Sequence, residues 1–306
     1  MAESDLYEQI IEAANANYGS HQGHRALHAK GTWTRGTFTA GVELAALTRA
    51  APLQGDPVPA LVRFSNASGD PEANDAERDG RGMAVKLRGG DSETDILATT
   101  SPTFATRTPE DFLELLRLRA PDPATGQPDM EGLGAFLAAH PETIPAAQAI
   151  VNREPLESFA TARYFSPHAF GLSDCAASTT WVRWRWEPDA GERRIADDEA
   201  RERGRDYLHG DLAERLRAGV IGFELQLQRA AEVDPLDDPT AVWPDDRELL
   251  SGGRLELGEL VDDPEGDGHI EVFDPTRISD GIELSDDPIL RARPRAYSVS
   301  AYRRLG

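Results

Sequence analysis

The feature that most constrains the fold is a series of short segments in which apolar and polar residues alternate. Alternation with a period of two is typical of a half-buried β-strand, because successive side chains point to opposite faces of the sheet. Gly, Asp and Asn are frequent between these segments, which favours hairpins and antiparallel pairing. We therefore expect a mostly antiparallel sheet, closed as a barrel. The alternating segments are residues 31–40, 59–67, 82–89, 94–100, 179–188, 220–230, 254–261 and 269–274.

Helical periodicity is found outside these segments, near both ends and in the middle of the chain. Runs of strands with helices before and after them predict the α+β class. There is no internal repeat and no low-complexity segment, so residues 1–306 are expected to form a single domain with residues 1–24 as a helical lead-in. The predicted helices lie within residues 5–16, 109–120, 130–150, 194–218 and 285–304.

The chain is strongly acidic, with a formal net charge of −22. Such a field repels nucleic acid and anionic lipid, so neither is an expected partner. No window approaches the roughly 20 apolar residues of a membrane span, and the N-terminal residues lack a basic region followed by an apolar run, so a cytoplasmic protein is expected. The single cysteine, Cys175, excludes an intrachain disulfide and a cysteine-based metal cluster.

Against this acidic background, the last 18 residues carry five arginines, with Tyr297 in the middle of the segment. In a helix, Arg293, Tyr297 and Arg304 stand at i, i+4 and i+11 and share roughly one face. A cation one turn from a phenol favours the phenolate, a hard anionic ligand that suits ferric iron. The same spacing also fits an ordinary core tyrosine, so spacing alone leaves both interpretations open.

Residues 273–306, FDPTRISDGIELSDDPILRARPRAYSVSAYRRLG, resemble the C-terminal haem-binding segment of the haem catalases without a gap. They keep the family's Phe-x-Pro, Gly-Ile, Ser, Asp, Arg-x-x-x-Tyr and final Arg-Leu-Gly. The resemblance implies a catalase-like closed antiparallel β-barrel with surrounding helices, and haem b as the cofactor. It also implies that Tyr297 is the iron ligand and that residues 285–304 form the proximal haem helix, since catalases use a tyrosine ligand.

Two stretches near the N-terminus, RALHAKG and VRFSNASGD, are similar to the family's distal side, where peroxide binds. The resemblance implies that His28 is the essential histidine and that Ser65 holds its ring through a hydroxyl. It also implies that Arg25 and Arg63 bind the haem propionates. An imidazole can take a proton from one peroxide oxygen and return it to the other. Taken alone, His28 also fits a structural histidine.

The stretches ERDGRGMAVKL, SPHAF and VWP add matches in the family's order. Through SPHAF, the resemblance implies that His168 forms a polar relay with Arg293 and Asp287 behind the iron ligand. It implies that Arg304 is a third propionate ligand and that Phe112 lies against the distal face of the haem. Guanidinium forks suit buried carboxylates, so these arginines are also chemically apt.

One departure from the family bears on activity. Thr99 stands where catalases carry a distal Asn, and its shorter hydroxyl is expected to orient a second peroxide poorly. Disproportionation of peroxide to oxygen should therefore be weak. Ala105 replaces a bulky aromatic residue, which is expected to widen the distal chamber. The chain also lacks the long N-terminal arm and the C-terminal extension of large catalases, so it resembles the small catalase-related peroxidase group.

These features predict a haem-dependent peroxidase that reduces hydrogen peroxide or an organic hydroperoxide with a small electron donor. Its partners would be these small molecules, and a homodimer is left open. One alternative is the rearrangement of a fatty-acid hydroperoxide, as in the allene oxide synthase relatives. Others are a non-catalytic haem store or sensor, and a barrel that keeps the motifs by descent without binding haem.

Overall fold

A computed structural model describes residues 5–265 and 269–305 of the chain. Its centre is an antiparallel β-barrel built from the alternating segments. The strands within the described residues are β1 (Gly31–Ala40), β2 (Val58–Asn66), β3 (Arg81–Gly89), β4 (Ser92–Thr99), β5 (Tyr164–Phe165), β6 (Phe170–Ser173), β7 (Thr179–Pro188), β8 (Ile221–Arg229), β9 (Leu249–Val261) and β10 (Ile282–Leu284).

Eight of these strands form a closed wall in the order β7, β5, β4, β3, β2, β1, β9, β8, and β8 pairs with β7 to complete the ring. Every pairing in the wall is antiparallel. The other two strands extend the sheet from the first half of β7, where β6 pairs with β7 and β10 pairs with β6. The α+β class and the closed antiparallel barrel predicted from the sequence are therefore confirmed.

The barrel is filled by the apolar side chains on one face of each strand. Phe64 of β2 lies near its centre, with ring centroids 5.4 Å from Phe159 and 6.1 Å from Phe223. These rings are buried and belong to one continuous apolar core. Because side chains alternate along a strand, Arg63 and Ser65 lie on the outer face of the same wall. The outer face of β2 is therefore polar at one end, although it too is buried.

Helices cover part of this outer face. The first, third and last helices share a second apolar cluster that includes Ile11, Leu113 and Leu116, with Val299 packed against it. In the described part of the chain, no helix is long and apolar enough to cross a membrane. The helices are α1 (Leu6–Tyr18), α2 (Val42–Leu47), α3 (Pro109–Arg119), α4 (Met130–Ala139), α5 (Ile144–Val151), α6 (Asp197–Glu202), α7 (Tyr207–Ala218) and α8 (Pro288–Leu305).

Some of the arginine charge on α8 is bound by the acidic α1 region. Arg295 Nη2 donates to Asp5 at 2.7 Å, and its guanidinium lies 4.4 Å from the ring centroid of Tyr7. Arg303 Nη2 donates to Glu12 at 3.2 Å. These two arginines therefore join the ends of the chain, which leaves Arg293 and Arg304 for other roles.

Two predicted elements are wrong in the described residues. Residues 269–274 do not form a strand, because the barrel is already closed and Phe273 instead packs on Trp33, with 5.6 Å between ring centroids. The helix predicted over 194–218 is two helices, since Gly204 between them has φ 92°, a conformation that ends a helix. The short strands β5, β6 and β10 were not predicted, because a few residues are too short for alternation to be visible.

The bounds of the terminal helices differ from the predicted ones by a few residues, since the helix predicted within 5–16 continues to Tyr18. The lead-in over 1–24 is helical from Leu6 to Tyr18, and its residues 1–4 lie outside the described part of the chain. The final helix, predicted within 285–304, begins at Pro288.

Candidate active site

One row of paired residues crosses three strands at the polar end of the outer wall. Ser65 of β2 pairs with Gly82 of β3, and Gly82 pairs with Thr99 of β4. Residues that pair directly point to the same face of a sheet. His28, which precedes β1, completes the group because its Nδ1 lies 2.9 Å from Ser65 Oγ. The predicted distal residues His28 and Ser65 are therefore in contact, with Thr99 two strands away on the same face.

Gly82 makes room for this imidazole. A Cβ at Gly82 would lie 2.8 Å from Ser65 Oγ and 3.0 Å from the His28 ring. The backbone of His28 has φ 58°, held by its N–H, which donates to the carbonyl of Ala67 at 3.2 Å. Such a conformation is costly for a residue other than glycine and is common at functional sites. With Nδ1 next to Ser65, Nε2 is the ring nitrogen left for another molecule.

Arg25, Arg63 and Arg304 form a guanidinium cluster close to Trp33. Arg25 donates from Nη1 and Nη2 to the carboxylate of Glu265, at 2.8 and 2.9 Å. Arg304 Nη1 donates to the same carboxylate at 2.9 Å. Arg25 and Arg63 each lie 5.5 Å from the ring centroid of Trp33. The three arginines predicted to bind propionates thus come together from distant parts of the chain.

Arg63 has no carboxylate partner among the described residues. Its Nη2 donates to the carbonyl of Ala29 at 2.9 Å, and its buried Nε has no hydrogen-bond partner there. Burial, and next the charge of Arg25, lower the pKa of Arg63 to about 9. A Cβ at Gly31 would lie 2.4 Å from Arg63 Cζ, so only glycine leaves room for the guanidinium. The cluster thus holds more positive than negative charge.

Arg293 and Tyr297 contact each other on α8. Arg293 Nη1 donates to Tyr297 Oη at 2.8 Å, as expected for residues one helical turn apart. The guanidinium of Arg293 also lies 5.6 Å from the ring centroid of Phe104. Phe104 in turn packs on Phe112, with 5.2 Å between their ring centroids. The C-terminal helix and the predicted distal aromatic Phe112 therefore meet through one intermediate ring.

Asp287 holds the start of α8 and a buried histidine together. Its Oδ1 accepts hydrogen bonds from the backbone N–H groups of Ile289 and Leu290, at 2.8 and 3.1 Å. Its Oδ2 lies 2.6 Å from His168 Nδ1, and both side chains are buried. His168 Nε2 is buried without a partner in the described structure. Asp287 therefore caps the helix and ties His168 to its start.

Replacing Asp287 by Ala should lower the free energy of unfolding by roughly 3 kcal/mol, because two backbone donors and a buried imidazole lose their acceptor. Urea denaturation of the purified protein measures this. Asp286→Ala is the matched control, since the Asp286 side chain is 96% exposed and should matter by less than about 0.5 kcal/mol. Equal stability of the two variants would contradict the role given to Asp287.

The Thr99 hydroxyl is used within its own turn. Thr99 Oγ1 donates to the carbonyl of Ser101 at 3.1 Å and accepts from the Ser101 N–H at 3.2 Å. Such local bonds are typical of Ser and Thr in turns. The prediction that Thr99 orients peroxide poorly thus has a second basis, since the hydroxyl proton already has an acceptor.

The charges around His28 link the two ends of the chain electrostatically. Burial lowers the pKa of His28 to about 3, with further lowering by Arg63, Arg293 and then Arg25. Burial and the charge of Arg293 also lower the pKa of His168 to about 4, against the opposing effect of Asp287. Both imidazoles are therefore neutral at pH 7. The charge of Arg293 therefore acts on both His28 and His168.

Sequence reasoning missed three residues of this region. Trp33 was seen only as part of a strand, although its outward position in the alternation could have indicated a contact with Arg63. Gly82 lies in a matched stretch, but the need for a glycine depends on the approach of His28. Glu265 lies in a polar connection that carries no pattern.

The described residues offer no metal site built from side chains alone. No group of three or more His, Cys, Asp or Glu side chains lies close enough together among them to hold a metal ion.

Known proteins are similar to this chain along most of its length. The sequence model described as Catalase matches residues 8–306. The catalase-related peroxidase of Mycolicibacterium paratuberculosis is 39% identical over 302 residues, covering 98% of this chain and 95% of the relative. The catalase-related peroxidase of Synechococcus elongatus is 31% identical over 298 residues, covering 97% of this chain and 88% of the relative.

Larger relatives share the fold. A Staphylococcus aureus catalase is 28% identical over 296 residues, which cover 59% of its length. The crystal structure of a fungal catalase matches with a TM-score of 0.83 at 24% identity, over 94% of this chain and 60% of the other. Catalase A from Saccharomyces cerevisiae matches with a TM-score of 0.82 at 23% identity, over 94% of this chain and 62% of the other. This chain therefore belongs to the catalase family, and it is an oxidoreductase, a peroxidase of the catalase superfamily.

Proposed function

We propose that this protein is a haem b peroxidase that reduces hydrogen peroxide or an organic hydroperoxide with electrons from a small donor. The observation that carries the proposal is the position of His28, which lies 2.9 Å from Ser65 Oγ and whose pKa is lowered by burial and next by the charges of Arg63, Arg293 and Arg25. These guanidiniums belong to the guanidinium cluster and to the Arg293–Tyr297 pair. A neutral imidazole, a phenol with a cationic donor and an excess of buried positive charge thus belong to one site.

The side chains fit haem in charge and in donor type. Among the described residues, the buried Nε atoms of Arg63, Arg293 and Arg304 lack a partner, and the cluster has a single carboxylate. Two propionates would supply the missing negative charge. Tyr297 would be the iron ligand, with Arg293 stabilising its phenolate, and Phe112 would lie on the distal side. When bound, the haem would supply the redox-active iron.

The remaining steps belong to the protein's own side chains. The neutral His28 would accept a proton from one peroxide oxygen at Nε2 and return it to the other oxygen, while Ser65 holds Nδ1. Hydrogen peroxide would take up two electrons and two protons and leave as two waters, and an organic hydroperoxide would leave as an alcohol and one water. The donor would lose the same two electrons and two protons. Asp287 and His168 would fix the start of the helix that carries Tyr297.

The proposal is tested on protein expressed with added hemin. We expect a haem absorbance spectrum and rapid oxidation of a phenolic dye by hydrogen peroxide. Haem without dye oxidation would favour a store or sensor, and a colourless protein would contradict haem binding. Product analysis with a lipid hydroperoxide separates the two chemistries, since reduction gives the alcohol and consumes a donor, whereas a reaction of the allene oxide synthase type eliminates water and consumes no donor.

Replacing Thr99 by Asn should raise oxygen evolution from hydrogen peroxide by roughly 10- to 100-fold, because an amide reaches further than a hydroxyl and can orient a second peroxide. An oxygen electrode measures this at matched haem content. Thr99→Val is the control, since it also removes the bonds to Ser101 but offers no donor. If both variants evolve oxygen at the wild-type rate, Thr99 does not limit this reaction.

A further inference from the structure

Glu265 occupies the guanidinium cluster as a carboxylate ligand would. Its two oxygens accept both terminal nitrogens of Arg25, and Oε1 also accepts from Arg304. This fork-to-fork arrangement is the one by which arginine binds carboxylates most strongly. Arg25 Nη2 additionally donates to the carbonyl of Glu271 at 2.8 Å. Both terminal nitrogens of Arg25 therefore already donate hydrogen bonds within the protein.

The charges in the cluster show which arginine is left to bind a second carboxylate. Glu265 is 14% exposed, and it is the carboxylate paired with Arg25 and Arg304 in the described structure. In the described part of the chain, Arg63 keeps an unpartnered Nε and donates only to a backbone carbonyl. A dicarboxylate entering this cluster thus meets one arginine without a carboxylate and two that are already paired.

Arg63 and Glu265 are held in place by different parts of the fold. Arg63 belongs to β2 in the barrel wall, and its guanidinium packs against Gly31 of β1, where a Cβ would lie 2.4 Å from Arg63 Cζ. Glu265 lies four residues beyond the end of β9. Its other hydrogen bonds to described residues are local: its N–H donates to Asp263, and its Oε1 accepts from the N–H of Glu271. A carboxylate on such a connection can leave more easily than a residue fixed in the wall.

We propose that Glu265 is an internal stand-in for a haem propionate, which holds Arg25 and Arg304 in the haem-free protein and is displaced when haem binds. This inference rests on the proposed function. In the haem-free protein, the pairing stabilises two cations that would otherwise be buried without a counter-charge. The same pairing competes with the incoming propionate. Haem therefore binds more slowly and less tightly than it would to the three arginines without Glu265.

The test is a titration of haem-free protein with hemin, followed by absorbance and by stopped-flow mixing. Glu265→Gln should bind hemin roughly tenfold more tightly and faster than wild type, the effect of about one charge-assisted hydrogen bond. The haem-free variant should melt at a lower temperature than wild type. Asp262→Asn removes the same charge from an exposed position three residues away and should behave as wild type.

Metal-free protoporphyrin IX and its dimethyl ester isolate the carboxylate effect. The free acid should gain affinity in Glu265→Gln, and the ester should gain none, because its propionates can no longer accept as carboxylates. Unchanged or weaker hemin binding by Glu265→Gln would overturn the inference and would mean that Glu265 supports the arginines in both states. A wild-type protein that binds no hemin would overturn the proposed function and this inference with it.

Discussion

Tyr297→Phe should lose more than about 100-fold in hemin affinity and a comparable factor in peroxidase turnover. Even residues that only support a metal ligand typically contribute 10- to 100-fold, so removal of the ligand oxygen itself should do more. The substitution keeps the ring and its packing, and it leaves Arg293 Nη1 without the oxygen to which it donates at 2.8 Å. Hemin titration and dye oxidation at saturating hemin measure the two effects.

Tyr302→Phe provides the matched control on the same helix. Its side chain is 76% exposed, so the same loss of a hydroxyl should leave hemin affinity and turnover unchanged. Urea unfolding of both haem-free variants shows whether the fold is kept. A pigmented, active Tyr297→Phe protein would show that the Tyr297 phenol is not the iron ligand, and this would contradict the proposed function.

The main strands of the barrel were predictable from the sequence because alternation is a local property. Phe64 and Arg63 are neighbours in the chain, and the period of two sends one into the core and the other to the outer wall. The segment 269–274 also alternates, yet it stays outside the sheet because the wall has no free edge there. Periodicity therefore indicates that a segment can form a strand. Whether it does depends on whether the barrel wall has a free edge to pair with.

The candidate site was only partly predictable. Arg293 and Tyr297 are four residues apart, so their contact on one face of a helix can be predicted directly from the sequence. The contact of His28 with Ser65 depends on strand register and on the absence of a side chain at Gly82, and it was reached through the family resemblance rather than the pattern. Glu265 was missed because its pairing with Arg25 joins residues 240 positions apart, and no local rule relates them.

His28→Gln should keep its haem and lose roughly 10²- to 10⁴-fold in kcat/KM for hydrogen peroxide, the range expected when a positioned proton acceptor is removed. Glutamine retains a polar group near Ser65 but has no basic nitrogen. Haem content from absorbance and initial rates of dye oxidation separate binding from proton transfer. His24→Gln, in the exposed loop just before, is the matched control and should react as wild type.

The pH dependence of the wild-type reaction gives an independent check. A proton acceptor works in its neutral form, and His28 is neutral at every pH above its pKa of about 3. From pH 8 down to pH 5 its protonation should therefore leave kcat/KM unchanged. An ordinary histidine, with a pKa near 6.5, would cause a tenfold fall for each pH unit below that value. A fall of that kind, present in wild type and absent in His28→Gln, would contradict the burial and the cationic surroundings given to this imidazole.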